Sequence, residues 1–205
     1  MAIQFIYFDL GKVLVHFERD QMFDQVAALA GLERATVAAA FFGDGLHNDF
    51  ESGRISPDEY LDGFCRRIDR TLDGTAFFRA ATEFFCLNTS ILPVISGLRQ
   101  TRQRIGILSN TAITHWEYCR DRWRMLDTCF DIKVLSYEFG AMKPDGSIYR
   151  HAADRAGVAP EEVFFTDDLP ENVEGALAAG LDAVPFTGAP ALAGALRQRG
   201  IPLNY

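Results

Sequence analysis

The opening stretch of the chain restricts the possible fold more than any other part of the sequence. Residues 3–8 form a short aromatic and β-branched run broken only by Gln4, and one carboxylate, Asp9, and then Gly11 follow it. A short apolar run that stops at a polar residue and a glycine is typical of a buried strand ending in a turn. The sequence therefore predicts that Asp9 lies at the carboxyl end of a strand, at the edge of a sheet.

The composition excludes several classes of protein. The 205 residues, 48% of them hydrophobic, suffice for one core with a small insertion. No apolar run reaches the roughly 18 residues of a membrane span, and no basic start with a cleavage site is present; this predicts a cytoplasmic protein that does not span a membrane. Because the net charge is −8 and the lysines and arginines are scattered, we expect no nucleic-acid partner.

The four cysteines supply no candidate for chemistry. Their widely separated positions contain no C-x-x-C spacing, and they are Cys65, Cys86, Cys119 and Cys129. This pattern favours reduced, mostly buried thiols over a zinc site or a redox pair.

The hydrophobic period changes along the chain and predicts two parts. After residue 88, strands alternate with helices, which indicates a doubly wound, parallel, Rossmann-like α/β sheet. Residues 17–88 carry helical patterns without a strand signal. We therefore predict a core made of residues 1–16 and 89–205, with 17–88 inserted as an α-helical cap. The strands predicted after the first are 105–108, 130–135, 163–166 and 183–186.

Two segments of the predicted cap differ in how clearly they are marked. Ser56, Pro57 and Glu59 form the pattern of a helix start, with a capping serine, a proline in the first turn and a glutamate three residues after the cap. Residues 43–54 are rich in turn formers and are interpreted as a loop. Paired phenylalanines across the cap indicate packing or a dimer surface, so both a monomer and a homodimer are possible.

Polar groups gather at the predicted strand ends. In an open parallel sheet, ligands bind in the crevice at the carboxyl ends of the strands. Three carboxylates brought together there raise one another's pKa unless a cation compensates, and Mg²⁺ with oxygen ligands is the natural solution. A carboxylate nucleophile beside Mg²⁺ and an ammonium group suits phosphoryl transfer. The groups are Asp9, Ser109 with Asn110, Asp167 with Asp168, and Lys143 in a loop before a helix.

Taken in order, these residues resemble the four motifs of the haloacid dehalogenase-like hydrolase superfamily. The motifs are Phe8-Asp9-Leu10-Gly11-Lys12-Val13, Leu108-Ser109-Asn110, Lys143-Pro144 and Phe165-Thr166-Asp167-Asp168. The helical insertion resembles the cap of that superfamily's first cap class. The motifs are most similar to those of bacterial sugar-phosphate phosphatases active on α-glucose-1-phosphate, which implies a small phosphate ester as substrate and Mg²⁺ as cofactor.

The resemblance implies a role for each motif residue. Asp9 attacks phosphorus and also ligates Mg²⁺. The other implied metal ligands are the backbone carbonyl of Gly11 and the carboxylate of Asp168, with Asp167 as a further ligand either directly or through a water molecule. Ser109 and Asn110 are implied to hold the phosphate. Lys143 is implied to bridge the phosphate and Asp9. In the cap, His47 and Glu51 are candidate substrate contacts, because functional residues concentrate on loops.

One position departs from the superfamily's pattern. Most of its phosphatases carry a second aspartate two residues after the nucleophile as general acid and base, whereas this chain has Gly11 there. Such assistance is worth roughly 10²–10⁴-fold. Three explanations stay open: another group such as His16, His47 or Glu51 moves the proton; a substrate with a good leaving group, such as an anomeric phosphate, needs less help; or activity is weak.

Two alternatives follow from this glycine. The dehalogenases of the superfamily also lack the second carboxylate and use no metal, but they lack the paired acids seen here as Asp167 and Asp168. A metal-independent 2-haloacid dehalogenase is therefore the less favoured function, and chelation of the metal would distinguish it from a phosphatase. The second alternative is a weakly catalytic protein that binds a phosphorylated ligand.

Overall fold

The computed structural model describes residues 2–203 and contains a five-stranded parallel sheet. Met1 and the last two residues, which the predicted core includes, lie outside the described part. The strands are β1 (Phe5–Phe8), β2 (Val15–His16), β3 (Cys86–Leu87), β4 (Arg104–Ser109), β5 (Ile132–Leu135), β6 (Val163–Asp167) and β7 (Asp182–Pro185). The sheet order is β5-β4-β1-β6-β7, with parallel pairing throughout. The predicted doubly wound parallel sheet is confirmed, and β1 lies at its centre.

Helices cover both faces of this sheet because β1 alternates its side chains between them. Ile6 and Phe8 pack in one buried cluster, and Phe5 and Tyr7 pack in the other, as the two-residue period of a strand requires. The helices are α1 (Arg19–Ala30), α2 (Arg34–Phe42), α3 (Leu46–Glu51), α4 (Pro57–Ile68), α5 (Gly74–Ala80), α6 (Leu92–Gln100), α7 (Ile113–Arg122), α8 (Met125–Thr128), α9 (Ser136–Phe139), α10 (Gly146–Ala156), α11 (Pro170–Ala178) and α12 (Ala189–Gln198). Helices α6, α7 and α12 cover the Ile6 face, and α10 and α11 cover the other.

Helices α1 to α5 enclose a separate aromatic cluster. Its buried rings include Phe23, Phe41, Phe50, Tyr60, Phe64 and Phe77, so most of the paired phenylalanines serve packing inside this part of the chain. Phe42 is the exception, because it is 52% exposed. Helix α4 begins with the predicted capping box, in which the Glu59 amide donates to Ser56 Oγ at 3.3 Å and the Ser56 amide donates to Glu59 Oε2 at 2.8 Å.

The segment predicted as a loop, residues 43–54, was interpreted wrongly. It holds a 3₁₀ turn, Gly43–Gly45, followed by helix α3. Leu46 and Phe50 lie one turn apart and pack against the aromatic cluster, and such tertiary packing, more than local propensity, stabilises short helices. As a consequence, His47 and Glu51 are also one turn apart and share a helix face.

A two-stranded ribbon was also absent from the prediction. Strands β2 and β3 pair antiparallel, Val15 opposite Leu87 and His16 opposite Cys86. Two residues per strand are too few for a periodic signal. The ribbon joins the two places where the chain passes between the sheet and helices α1 to α5.

The four cysteines are free thiols, as predicted. Only Cys119 is buried, whereas Cys86 is exposed in the ribbon and the other two are partly buried. The expectation of mostly buried thiols was therefore wrong, because Cys86 lies on a two-residue strand whose side chain faces outward.

Among residues 2–203, no single helix is long and apolar enough to cross a bilayer. Arg19–Ala30 and Arg34–Glu51 meet the length and composition criteria only as a pair, and the pair is bent by 110°. Buried side chains of both segments, including Phe23 and Phe41, belong to the aromatic cluster.

Helix α3 is fastened to α9, the short helix that follows β5 directly. The Ser136 hydroxyl donates to the carbonyl of Glu51 at 2.5 Å and accepts from the Thr111 amide at 2.9 Å. Just beyond α3, Gly53 has a φ of +69°, and a Cβ at this position would overlap the carbonyl oxygen of Tyr137. These contacts hold the end of α3 beside the carboxyl edge of the sheet.

Replacing Gly53 is expected to loosen this junction. Gly31 is a matched control, because it also has a positive φ, +65°, but a Cβ there meets no atom within 4 Å. We expect Gly31→Ala to cost about 1 kcal/mol of unfolding free energy, the cost of the left-handed conformation, and Gly53→Ala to cost about 3 kcal/mol or more. Urea unfolding of both variants measures the difference, and equal costs would contradict the close approach to Tyr137.

Candidate active site

A buried lysine joins the carboxylates at the centre of the sheet edge. Lys143 lies in the loop before α10, and its Nζ donates to Asp9 Oδ1 at 2.7 Å, Asp167 Oδ2 at 2.5 Å and the Leu108 carbonyl at 3.1 Å. The three donors of the ammonium group are thus all used. Asp9, directly after β1, and Asp167, the last residue of β6, are also buried. The structure therefore brings together residues that are up to 158 positions apart in sequence.

The charges of this cluster do not balance. Burial raises the pKa of Asp9 to about 7, because the attraction of Lys143 does not offset the desolvation and the repulsion from Asp167. Burial alone would lower the pKa of Lys143, but Asp9 and Asp167 outweigh it and raise this pKa. Burial, with the charge of Asp167, also raises the pKa of Asp168. Three carboxylates face one ammonium group, so an additional cation would favour their ionised forms.

Asp167 is held by more partners than the sequence indicated. Its Oδ1 accepts from the Leu169 amide at 2.9 Å, and Asn172 Nδ2 lies 3.1 Å from both carboxylate oxygens. Asn172 was missed by sequence reasoning, since a single asparagine in the first turn of a helix usually signals capping. Its position five residues after Asp167, where α11 begins beside the strand end, was the available signal.

The oxygens at this point fit a hard divalent cation. Asp9, Asp167 and Asp168 each offer one carboxylate oxygen, and these three atoms lie within 4.8 Å of one another. The carbonyl of Gly11 accepts from the Val13 amide at 2.7 Å, which leaves it one lone pair. All-oxygen ligand sets of this kind suit Mg²⁺.

Ser109 and Asn110 are placed differently within the site. Ser109 is buried at the end of β4, and its hydroxyl is 3.3 Å from the Asn110 carbonyl. The side chain of Asn110 donates to the Lys143 carbonyl at 2.8 Å and accepts from the Lys143 amide at 2.8 Å. Asn110 therefore holds the backbone that carries the buried lysine, and its predicted contact with phosphate stays a prediction.

Two adjoining cavities open at this edge. The larger, about 460 Å³, is lined by Asp9, Lys143 and Asp168. The smaller, about 80 Å³, is lined by many apolar and aromatic side chains together with His47, His115 and Ser109. Residues that line both cavities are Gly11, Phe17, Arg19, Glu51 and Asn110.

The candidate substrate contacts and proton carriers reach these cavities unequally. His47 and Glu51 both line the smaller cavity, so α3 does bring them to the site. His16 is exposed on β2 and lines neither of the two cavities. Arg19 and Phe17 line both cavities. Nothing in their local sequence indicated this, because their placement depends on where the start of α1 lies relative to the sheet.

The parallel sheet, the strand-end carboxylates and the buried lysine define an α/β enzyme with an acidic site at the carboxyl edge of the sheet. A model of the haloacid dehalogenase-like hydrolase family matches residues 6–180. The chain belongs to this family, which confirms the resemblance seen in the four motifs.

Known relatives share most of the chain. A D-ribitol-5-phosphate phosphatase from Bacteroides thetaiotaomicron is 29% identical over 181 residues, which cover 83% of this chain and 85% of the relative. A phosphatase from Mycobacterium tuberculosis is 25% identical over 195 residues, covering 89% and 87%. A crystal structure of a family enzyme from Bacteroides thetaiotaomicron in complex with magnesium and inorganic phosphate superposes with a TM-score of 0.82 at 25% identity, covering 91% of this chain and 96% of the other.

Proposed function

We propose that this hydrolase is a Mg²⁺-dependent phosphatase that hydrolyses small phosphate monoesters, of the sugar or sugar-alcohol class, through Asp9. The observation that carries the proposal is the Asp9 carboxylate at the centre of the site, 2.7 Å from the ammonium group of Lys143 and grouped with Asp167 and Asp168. The relatives named as phosphatases, one acting on ribitol 5-phosphate, and the related structure with magnesium and phosphate support it.

The proposed metal ligands are Asp9, Asp168 and the carbonyl of Gly11. Asp167 is assigned a contact through water, because both of its oxygens already accept hydrogen bonds from Lys143, Leu169 and Asn172. When bound, Mg²⁺ would neutralise phosphate oxygens and lower the repulsion between the substrate and the acidic cluster.

The proposed reaction has two displacements at phosphorus. In the first, a carboxylate oxygen of Asp9 bonds to phosphorus while the bond from phosphorus to the alcohol oxygen breaks. In the second, water attacks phosphorus, the bond to Asp9 breaks and inorganic phosphate leaves. Lys143 and the Ser109 hydroxyl would stabilise the charge of the transferring phosphoryl group, since Lys143 contacts Asp9 directly and Ser109 ends the strand next to β1.

We assign substrate selection to the cap, residues 17–88. Its residues line both cavities, and the smaller cavity would receive the leaving group. His47 and Glu51, with Arg19 beside them, are placed to contact hydroxyls of that group. The cytoplasmic location and the oligomeric state remain predictions from the sequence.

The requirement for metal separates this function from dehalogenation. We expect hydrolysis of p-nitrophenyl phosphate and of a panel of sugar and sugar-alcohol phosphates to vanish in EDTA and to return with Mg²⁺. Asp168→Asn should raise the Mg²⁺ concentration needed for half-maximal activity at least about tenfold, because a direct carboxylate ligand is lost. The measurement is phosphate release across a Mg²⁺ titration.

The same panel should contain 2-haloacids. Halide release that survives EDTA would favour the dehalogenase and contradict the phosphatase. Binding of phosphate esters without any release above that of Asp9→Asn would favour a binding protein instead.

A further inference from the structure

The position that lacks the expected second aspartate has little free space beside it. A Cβ built on Gly11 would lie 3.0 Å from Cε1 of Phe17 and 3.8 Å from Asp9 Oδ2. The ring of Phe17 thus crowds the space beside Gly11. Because glycine itself has no ionisable side chain, a proton donor in this site has to come from another residue.

Glu51 enters the same space from the cap. It lines the cavity that contains Asp9 and also the adjoining smaller cavity, as Gly11 and Phe17 do. The Ser136 hydroxyl holds its carbonyl at 2.5 Å, so its backbone is fixed against the core. Its side chain is only 19% exposed. A carboxylate therefore lies at the junction between the phosphate region and the leaving-group region.

Glu51 is connected to a second group that can hold a proton. His47 Nε2 is 3.5 Å from Glu51 Oε1, and His47 Nδ1 is 3.1 Å from the Tyr60 hydroxyl. The Tyr60 hydroxyl can accept from a protonated His47 or donate to a neutral one. Tyr60 thereby accommodates both protonation states of His47 without a change in position.

The surrounding charges keep Glu51 ionised when His47 carries the proton. Burial alone would raise the pKa of Glu51, but the hydrogen bond and charge of His47, together with the charge of Arg19, favour the carboxylate, and the pKa of Glu51 is lowered. Burial, with the charge of His47, lowers the pKa of His115 to about 4. His115 is therefore neutral near pH 7 and does not compete for the proton.

We propose that Glu51, paired with His47, is the catalytic acid and base of this phosphatase in place of the side chain that Gly11 lacks. The inference rests on the proposed function, because it assigns the proton transfers of that reaction.

The pair carries one proton through both steps. As the bond between phosphorus and the alcohol oxygen breaks, the proton of His47 moves to Glu51 while Glu51 delivers a proton to the leaving oxygen. The alcohol departs neutral, and the pair is left as a neutral imidazole and a carboxylate. Water then attacks phosphorus, Glu51 accepts a proton from that water, and the bond to Asp9 breaks. The pair regains its proton, and no other reactant is needed.

Other titratable groups near the cavities are less suited. Glu18 and Asp20 line the larger cavity but are exposed, and Asp20 pairs with Arg34. Neither lines the smaller cavity, where the leaving group would lie.

The test compares two aryl phosphates of similar shape. Loss of a general acid slows the departure of a poor leaving group far more than that of a good one. We expect Glu51→Gln to lower kcat/KM for phenyl phosphate by roughly 10²–10³-fold and kcat/KM for p-nitrophenyl phosphate by about tenfold or less. We also expect a burst of p-nitrophenol in rapid mixing, because the phosphorylated enzyme accumulates without its base.

Two further variants make the outcome decisive. His47→Gln should show the same dependence on the leaving group, with a smaller loss. Asp49→Asn, on the same helix but paired with Arg54, should behave like the wild type. If Glu51→Gln loses activity equally on both substrates, or loses none while Asp9→Asn is inactive, the inference is wrong and the phosphatase stands. If Asp9→Asn retains wild-type turnover, the proposed function itself is wrong.

Discussion

Asp9→Asn is expected to lower turnover of every phosphate ester by roughly 10⁵–10⁶-fold, the scale observed when an enzyme loses its covalent nucleophile. The amide nitrogen and carbonyl of asparagine cannot form the bond to phosphorus on which the two-step reaction depends. The measurement is phosphate release under saturating Mg²⁺, with the protein's circular dichroism recorded to show that the fold is retained.

Asp24→Asn is a suitable control, because this aspartate lies on α1 and pairs with Arg34 at the surface. It should keep wild-type turnover. A phosphorylated residue found by mass spectrometry after denaturation of the working enzyme should be Asp9. A phosphoryl group found on another residue, or substantial turnover by Asp9→Asn, would contradict the assignment of Asp9 as the nucleophile.

Lys143→Met is expected to destabilise the protein by roughly 3–5 kcal/mol in EDTA, the usual cost of removing one partner of a buried ion pair. The variant leaves Asp9 and Asp167 facing each other without the ammonium group that now lies 2.7 Å and 2.5 Å from them. Mg²⁺ should recover part of this loss, because it supplies positive charge to the same carboxylates. Urea unfolding with and without Mg²⁺ measures both effects.

Lys133→Met provides the comparison. Lys133 lies 3.4 Å from Asp127 in a partly exposed pair, so its replacement should change stability by about 1 kcal/mol or less and show no special response to Mg²⁺. If the Lys143→Met variant is as stable as the wild type in EDTA, the ammonium group of Lys143 does not offset a repulsion between Asp9 and Asp167.

A proton donor on α3 would make the activity depend on where this helix lies relative to the sheet. Asp9 and Lys143 belong to the sheet edge, whereas Glu51 and His47 belong to α3. The chemistry then requires that α3 be positioned over the site, and the Ser136 hydrogen bond and the close approach at Gly53 are the contacts that fix it there. Gly53→Ala should therefore reduce activity as well as stability.

Most of the fold could be predicted because its signals are local. The strand before Asp9 and the strand that ends at Asp167 are buried on both faces, so their apolar runs are visible without knowledge of any partner. The capping box at Ser56 is likewise complete within four residues. Helix α3 was missed, since its stability comes from Phe50 packing against Tyr60 of α4 and Phe78 of α5.

The residues of the site divide in the same way. By itself, the sequence determined the order of the four motifs and hence that Asp9, Ser109 and the Asp167-Asp168 pair lie at strand ends, with Lys143 in a loop before a helix. These groups come together because the carboxyl ends of parallel strands meet at one edge. It also showed that position 11 lacks an acid. Only the tertiary structure decided that Asn172 holds Asp167, that Phe17 crowds the space at Gly11 and that Glu51 and His47 reach the site from α3. Those contacts depend on side chains from separate elements that pack together, and no pattern along the chain records such packing.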